Sequence, residues 1–289
     1  MKKAAGIMIA IFLFSCTAFA ENNMVQIKGS DTLINLVQKM SEVYMEKYPG
    51  KNISVTGGGS GTGIAALINK KTDIANASRL IKAKEIQNAE KEGVTPKRVV
   101  IAIDGLSVIV NKDNSVLQLT VDQIGKIFRG EITNWSEVGG DDQAITLYGR
   151  QSNSGTFEFL REVVLKGDYS SNMRQMNGNS QIIEAVKTDI GGIGYVGVGY
   201  AKEAEDINIV KVARNSKSPF CSPLNVEDVK SGKYPLSRPL NQYVNGTPAN
   251  EAKEFILFEL SPAGQKIVEE QGFFAIPDEY IEHNESIIG

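Results

Sequence analysis

Short apolar runs alternate with apolar stripes of helical period along most of the chain. Residues 25–28 read as a strand closed by Gly29-Ser30-Asp31. Leu33, Leu36, Val37, Met40 and Tyr44 then recur on one helix face as far as Tyr48-Pro49-Gly50. A strand at 52–56 leads into the glycine-rich turn 57–63 and a helix opening at 64–69. A short strand at 73–76 and a polar helix at 82–91 follow. After Pro96 a β-branched run at 99–103 stops at Asp104-Gly105, and 106–110 continues extended. Thr120 and Gln123 have capping-box spacing for a helix ending at Arg129-Gly130. A strand at 145–148 feeds Gly149-Arg150, Ser154-Gly155-Thr156 and a helix over 157–165. A helix at 180–187, strands at 192–196 and 207–212, a turn-rich stretch at 215–223, and helices near 249–260 and 263–271 complete the pattern. Strands and helices alternating at this interval predict α/β architecture with mainly parallel sheets.

Composition narrows the chemistry. The chain has 289 residues, 42% hydrophobic and 22% charged, with a formal charge of −3, which is ordinary for a globular protein of one or two domains. That charge gives no basis for nucleic-acid binding. One histidine and two cysteines, Cys16 and Cys221, leave most hydrolase triads, zinc sites and thiol-redox sites without their parts, so no metal and no cofactor is expected. The first residues read as an export signal: Lys2 and Lys3, an apolar run at 7–14 too short to span a bilayer, and Ala18-Phe19-Ala20, with cleavage expected after residue 20. Leu13-Phe14-Ser15-Cys16 offers lipid attachment at Cys16 as the lesser alternative. The expected product is a secreted, soluble protein.

Three turns share one design, in which a strand is followed by Ser/Thr with Gly and then an apolar-periodic helix: Ser30-Asp31-Thr32, Ser60-Gly61-Thr62-Gly63 and Ser154-Gly155-Thr156. Singly, each is an ordinary N-cap. Together, at strand C-terminal ends, they predict a site for a tetrahedral oxyanion held by backbone N–H groups and hydroxyls. The turn 57–63 fits neither a P-loop nor G-x-G-x-x-G. Arg150 and Arg79 stand near these turns, and a guanidinium fork suits such an anion, although a solvated surface charge is the commoner fate of arginine. Asp104 ends the most apolar strand, where a carboxylate either caps the next turn or faces the cleft as a hydrogen-bond acceptor.

At Gly29-Ser30-Asp31-Thr32, Gly59–Gly63, residues 73–79, Gly130-Glu131-Ile132-Thr133-Asn134-Trp135 and above all residues 150–156, the chain resembles the periplasmic phosphate-binding proteins of phosphate ABC transporters. The resemblance implies a type II periplasmic binding-protein fold, two α/β lobes joined by two crossovers near Asp104 and 215–221. Lobe I is expected over 21–104 plus 218–289 and lobe II over 105–217. It implies phosphate ligation by the Thr32 hydroxyl, the Leu33 N–H, Ser60, Arg150, Ser154, the Gly155 N–H and Thr156, in a periplasmic monomer that delivers phosphate to a membrane permease. Two positions depart from enteric-type members. Arg79 stands where they carry the aspartate that accepts the phosphate proton, and Ser152 where they carry an acid after the binding arginine. Asp104 is therefore expected to supply the acceptor that separates phosphate from sulfate, since near neutral pH phosphate keeps a proton and sulfate does not.

The alternatives are a binder of sulfate or molybdate, a phosphate sensor, and a secreted phosphatase. The last would need a metal cluster or activated nucleophile, and the adjacent pair Asp141-Asp142 has no histidine near it. Trp135, Phe273 and Phe274 read as packing residues, Cys221 as a small half-buried one, and His283 as part of a polar tail.

Overall fold

The computed structural model describes residues 24–289; the export segment 1–20 and Cys16 lie outside the described residues. The first half of the chain runs β1 (Met24–Gly29), α1 (Ile34–Lys47), β2 (Asn52–Thr56), α2 (Ser60–Ile68), β3 (Ile74–Ala77), α3 (Ala83–Lys91), β4 (Pro96–Gly105), β5 (Ser107–Asn111), β6 (Gln118–Thr120) and α4 (Val121–Arg129). A 3-10 turn at Trp135–Val138 follows. Then come β7 (Thr146–Arg150), α5 (Gly155–Leu160) running into a π turn at Arg161–Leu165, β8 (Arg174–Met176), α6 (Asn179–Lys187), β9 (Gly192–Val196) and α7 (Val198–Lys202). The chain closes with β10 (Ile207–Ile209), β11 (Lys211–Ala213), α8 (Val226–Lys230), β12 (Ser237–Asn245), α9 (Asn250–Leu260), α10 (Pro262–Glu270) and α11 (Asp278–Ile288).

Two five-stranded sheets organise these elements, one in the order β2-β1-β3-β12-β4 and the other β10-β5-β9-β7-β8. The chain leaves the first sheet at Gly105, enters the second at Ser107, and returns to the first as β12. The sheets are mixed and not mainly parallel, which corrects the reading from periodicity. β1 pairs in parallel with β2 and β3, but β12 runs antiparallel to β3 and β4, and β5 antiparallel to β9 and β10. The cause is the crossing itself: a strand that continues straight from one sheet into the next arrives without the helical crossover that a parallel neighbour requires.

Local chemistry explains the element ends. Gln123 N–H donates to Thr120 Oγ1 at 3.2 Å and Thr120 N–H to Gln123 Oε1 at 2.9 Å, while Gly130, at φ 80°, closes α4. Both faces of β4 and β5 are covered, so Val99–Ile103 and Val108–Val110 are buried throughout. The Trp135 indole is buried and donates to Gly191 O, and Phe273 and Phe274 pack in the same core. The C-terminal stretch is a helix and not a polar tail. Asn284 of α11 is buried and bonds both N–H and C=O of Val100 (2.9 and 2.8 Å), and His283 Nε2 lies 3.0 Å from Arg98 O.

Candidate functional site

The C-terminal ends of β1, β2 and β7 bring together the turns singled out in the sequence, and the end of β3 adds Ser78. Gly29 has φ 143°, and a Cβ there would lie 2.1 Å from Asn76 O, so only glycine lets β1 end against β3. The Ser30 N–H then donates to that same carbonyl at 2.8 Å. Five hydroxyls converge beyond it. Thr32 Oγ1 lies 3.0 Å from Thr156 Oγ1, and Ser78 Oγ lies 3.0 Å from Ser30, 3.4 Å from Ser60 and 3.4 Å from Thr156. Ser60 Oγ accepts the Ser78 N–H at 3.0 Å, and all five side chains are buried. A Cβ on Gly155 would sit 2.2 Å from Ser60 Oγ and 2.7 Å from Ser78 Oγ, so glycine is what lets α5 approach the first sheet this closely.

Two buried arginines flank the hydroxyls. Arg150, at the end of β7, donates through Nε to Met176 O (3.3 Å) and through Nη2 to Asn177 O (2.9 Å), and Nη2 also pairs with Asp31 from the other sheet. Its backbone N–H donates to the Tyr195 hydroxyl at 3.0 Å; burial pushes the Tyr195 phenol up to about 12, so it stays protonated. Arg238 of β12 faces Asp104 of β4 across the antiparallel ladder. Nε and Nη2 reach Asp104 Oδ2 at 3.0 and 2.8 Å, Nη1 donates to Ser78 O and Nη2 to Thr156 Oγ1, both at 3.0 Å. Burial pulls the Arg238 guanidinium below its ordinary value, and Asp104 opposes that shift.

Several expected site residues stand differently. Asp104 is fully buried and does not turn an open carboxylate to the cleft: Oδ2 holds Arg238 and Oδ1 accepts the Val198 N–H at 2.9 Å. A carboxylate opposite a buried guanidinium on the next strand is drawn into the pair that desolvation demands. Arg79 is committed to Glu85, with Nη1 and Nη2 reaching its two oxygens at 2.8 and 2.7 Å, because Glu85 also caps α3 at the Lys82 N–H. The Leu33 N–H donates to Ser30 O at 3.1 Å, and Ser154 caps α5, accepting from Thr156 N–H and Phe157 N–H. Thr32, Ser60, Arg150, Gly155 and Thr156 come together.

Sequence reading missed Ser78, Asp31 as the partner of Arg150, and Arg238. The signal for Arg238 was an arginine between Leu236 and Leu240, where burial requires a partner. Further bonds join the two halves beside the hydroxyls. Gly61 N–H donates to Asn153 O (2.9 Å), Asn153 Nδ2 to Gly58 O (2.9 Å), Tyr200 OH to Asp31 O (2.8 Å), and Lys82 pairs with Glu158 at 2.9 Å. Among the described residues no group of three or more His, Cys, Asp or Glu is gathered as metal ligands, and no helix is long and apolar enough to cross a membrane. Chemically, the arrangement offers buried hydroxyl and guanidinium donors to an acceptor-rich ligand.

A model of the PBP superfamily domain matches residues 17–263. The phosphate-binding protein PstS of Pseudomonas aeruginosa is 33% identical over 267 residues, covering 86% of this chain and 82% of that protein. PstS of Borreliella burgdorferi is 32% identical over 275 residues, 91% of this chain and 94% of its own length. A solved structure described as a putative phosphate ABC transporter substrate-binding protein with bound phosphate, from Clostridium perfringens, superposes with a TM-score of 0.78 at 30% identity, over 88% of this chain and 100% of that one. With a two-sheet α/β fold and hydroxyl-bearing turns meeting between the sheets, the chain belongs to the PBP superfamily and, within it, to the family of the phosphate-binding proteins PstS.

Proposed function

We propose that this protein captures inorganic phosphate between two lobes and delivers it to the membrane permease of an ABC transporter, outside the cytoplasm and as a monomer. The observation that carries the reading is the convergence of five buried hydroxyls from two sheets with the Arg150 and Arg238 guanidinium groups. Burying an anion costs several kcal/mol unless its oxygens find donors, and that cluster supplies them. The lobes are residues 21–104 with 218–289, and residues 105–217, hinged where the chain passes between the sheets. Thr32, Ser60, Ser78, Arg150, Gly155 and Thr156 form the ligand set. Arg79 and Asp104 belong to its support, each holding or held by an opposite charge. Capture needs no chemical step, and the single histidine lies on α11 against β4, away from the hydroxyls.

Calorimetric titration of the protein, unfolded and refolded to strip ligand, tests this with phosphate and then sulfate near neutral pH. One-to-one phosphate binding with little sulfate heat is expected. Equal binding of both would make it a general oxyanion binder, and no binding of either would overturn the reading.

A further inference from the structure

Arg238 differs from Arg150 in how it is held. It stands opposite Asp104 in the β4–β12 ladder, its guanidinium carbon lies 5.1 Å from the Phe159 ring centre, and its side chain is buried. An ion pair serving packing alone would need only Asp104. Arg238 also directs Nη1 to the Ser78 carbonyl and Nη2 to the Thr156 hydroxyl, two groups at the rim of the hydroxyl cluster contributed by opposite sheets.

A hydroxyl has one proton to give and lone pairs to receive, so a ring of hydroxyls can satisfy itself. An obligate donor changes that count. The Ser78 N–H occupies an acceptor position on Ser60, the N–H groups of Thr156 and Phe157 do so on Ser154, and Arg238 does so on Thr156. Each such bond occupies one of a hydroxyl's two acceptor positions and thereby biases the direction in which that hydroxyl points its own proton. A ligand whose oxygens only accept, an oxyanion, can take a proton directed in this way.

Resting on the phosphate-binding reading above, we propose that Arg238 is a positioning residue of the anion site. Held in plane by Asp104, it occupies an acceptor lone pair of Thr156 Oγ1 and so turns that hydroxyl's proton toward the bound anion. Its effect on affinity therefore passes through Thr156, and it depends on the planar fork, which lysine lacks.

The test is calorimetric phosphate titration of wild type, Arg238→Lys, Thr156→Val and the double variant, with melting temperatures to confirm folding. Because Arg238→Met alone would strand Asp104, Arg238→Met with Asp104→Asn serves as a second, charge-balanced variant. Arg238→Lys and the charge-balanced variant should each bind about ten- to a hundredfold more weakly, as for a lost charge-assisted hydrogen bond. Either combined with Thr156→Val should bind no more weakly than Thr156→Val alone. Wild-type affinity in Arg238→Lys, or losses that multiply in the double variant, would overturn the proposal. A wild-type protein that binds no phosphate would instead remove the reading on which it rests.

Discussion

Gly155 is the position where one added carbon should separate binding from folding. An alanine Cβ there would lie 2.2 Å from Ser60 Oγ, 2.7 Å from Ser78 Oγ and 2.9 Å from Ser60 Cβ. Carbon contacts settle at about 3.5 Å or more, so about an ångström of separation must open between α5 and the first sheet. The Ser60 hydroxyl cannot simply swing aside, because it accepts the Ser78 N–H at 3.0 Å. Overpacking of this kind costs about 1–3 kcal/mol, which corresponds to roughly five- to 150-fold in affinity if it falls on the bound form. It should fall there, since Gly155 opens a helix beside the second sheet while Ser60 and Ser78 belong to the first, so the strain is relieved by separating the two. Gly155→Ala is therefore expected to bind phosphate at least about fivefold more weakly while its ligand-free melting temperature moves by only a few degrees. Titration calorimetry with thermal melts, with and without phosphate, measures both. Affinity within about twofold of wild type would refute the argument that this close approach belongs to the bound form.

Glu259 is fully buried, with Oε1 accepting from Gln242 Nε2 at 3.0 Å and Oε2 unpartnered, and burial holds its carboxyl well above its ordinary value. The folded form then keeps a proton that the unfolded form loses, so stability is full in acid and falls as pH rises toward the folded value. Glu259→Gln should be more stable than wild type at pH 8 by about 1–3 kcal/mol, with the gap closing near pH 4; urea melts whose difference stays constant across that range would exclude this. Asp31→Asn removes the carboxylate that meets the Arg150 guanidinium from the other sheet and frees that donor for the anion, while the ligand-free melting temperature should move by only a few degrees. Phosphate should then raise the variant's melting temperature more than it raises that of wild type. Gly29→Ala forces a side chain into φ 143° and onto Asn76 O, and should lower stability by at least about 2 kcal/mol in denaturant melts.

Elements whose cause is local could be read from the chain alone. The capping box of Thr120 and Gln123, the left-handed Gly130, the helical stripe Leu36–Tyr44 and the β-branched run before Asp104 depend on neighbours within a few residues, and spacing reports them. So do the three hydroxyl-bearing turns, because each follows a strand and opens a helix. Partnership across the fold is different. Whether Asp104 meets the cleft or Arg238, and which carboxylate pairs with Arg150, depend on which strands lie side by side. Arg238 and Asp104 are 134 positions apart, and only the return of β12 beside β4 sets them opposite one another. A charge buried by that return must take the opposite charge within reach, since desolvation leaves it no alternative. The amino-acid sequence thus determined that hydroxyls, glycines and an arginine would gather at strand ends. The tertiary structure decided which charges remain to hold a ligand and which are consumed in holding one another.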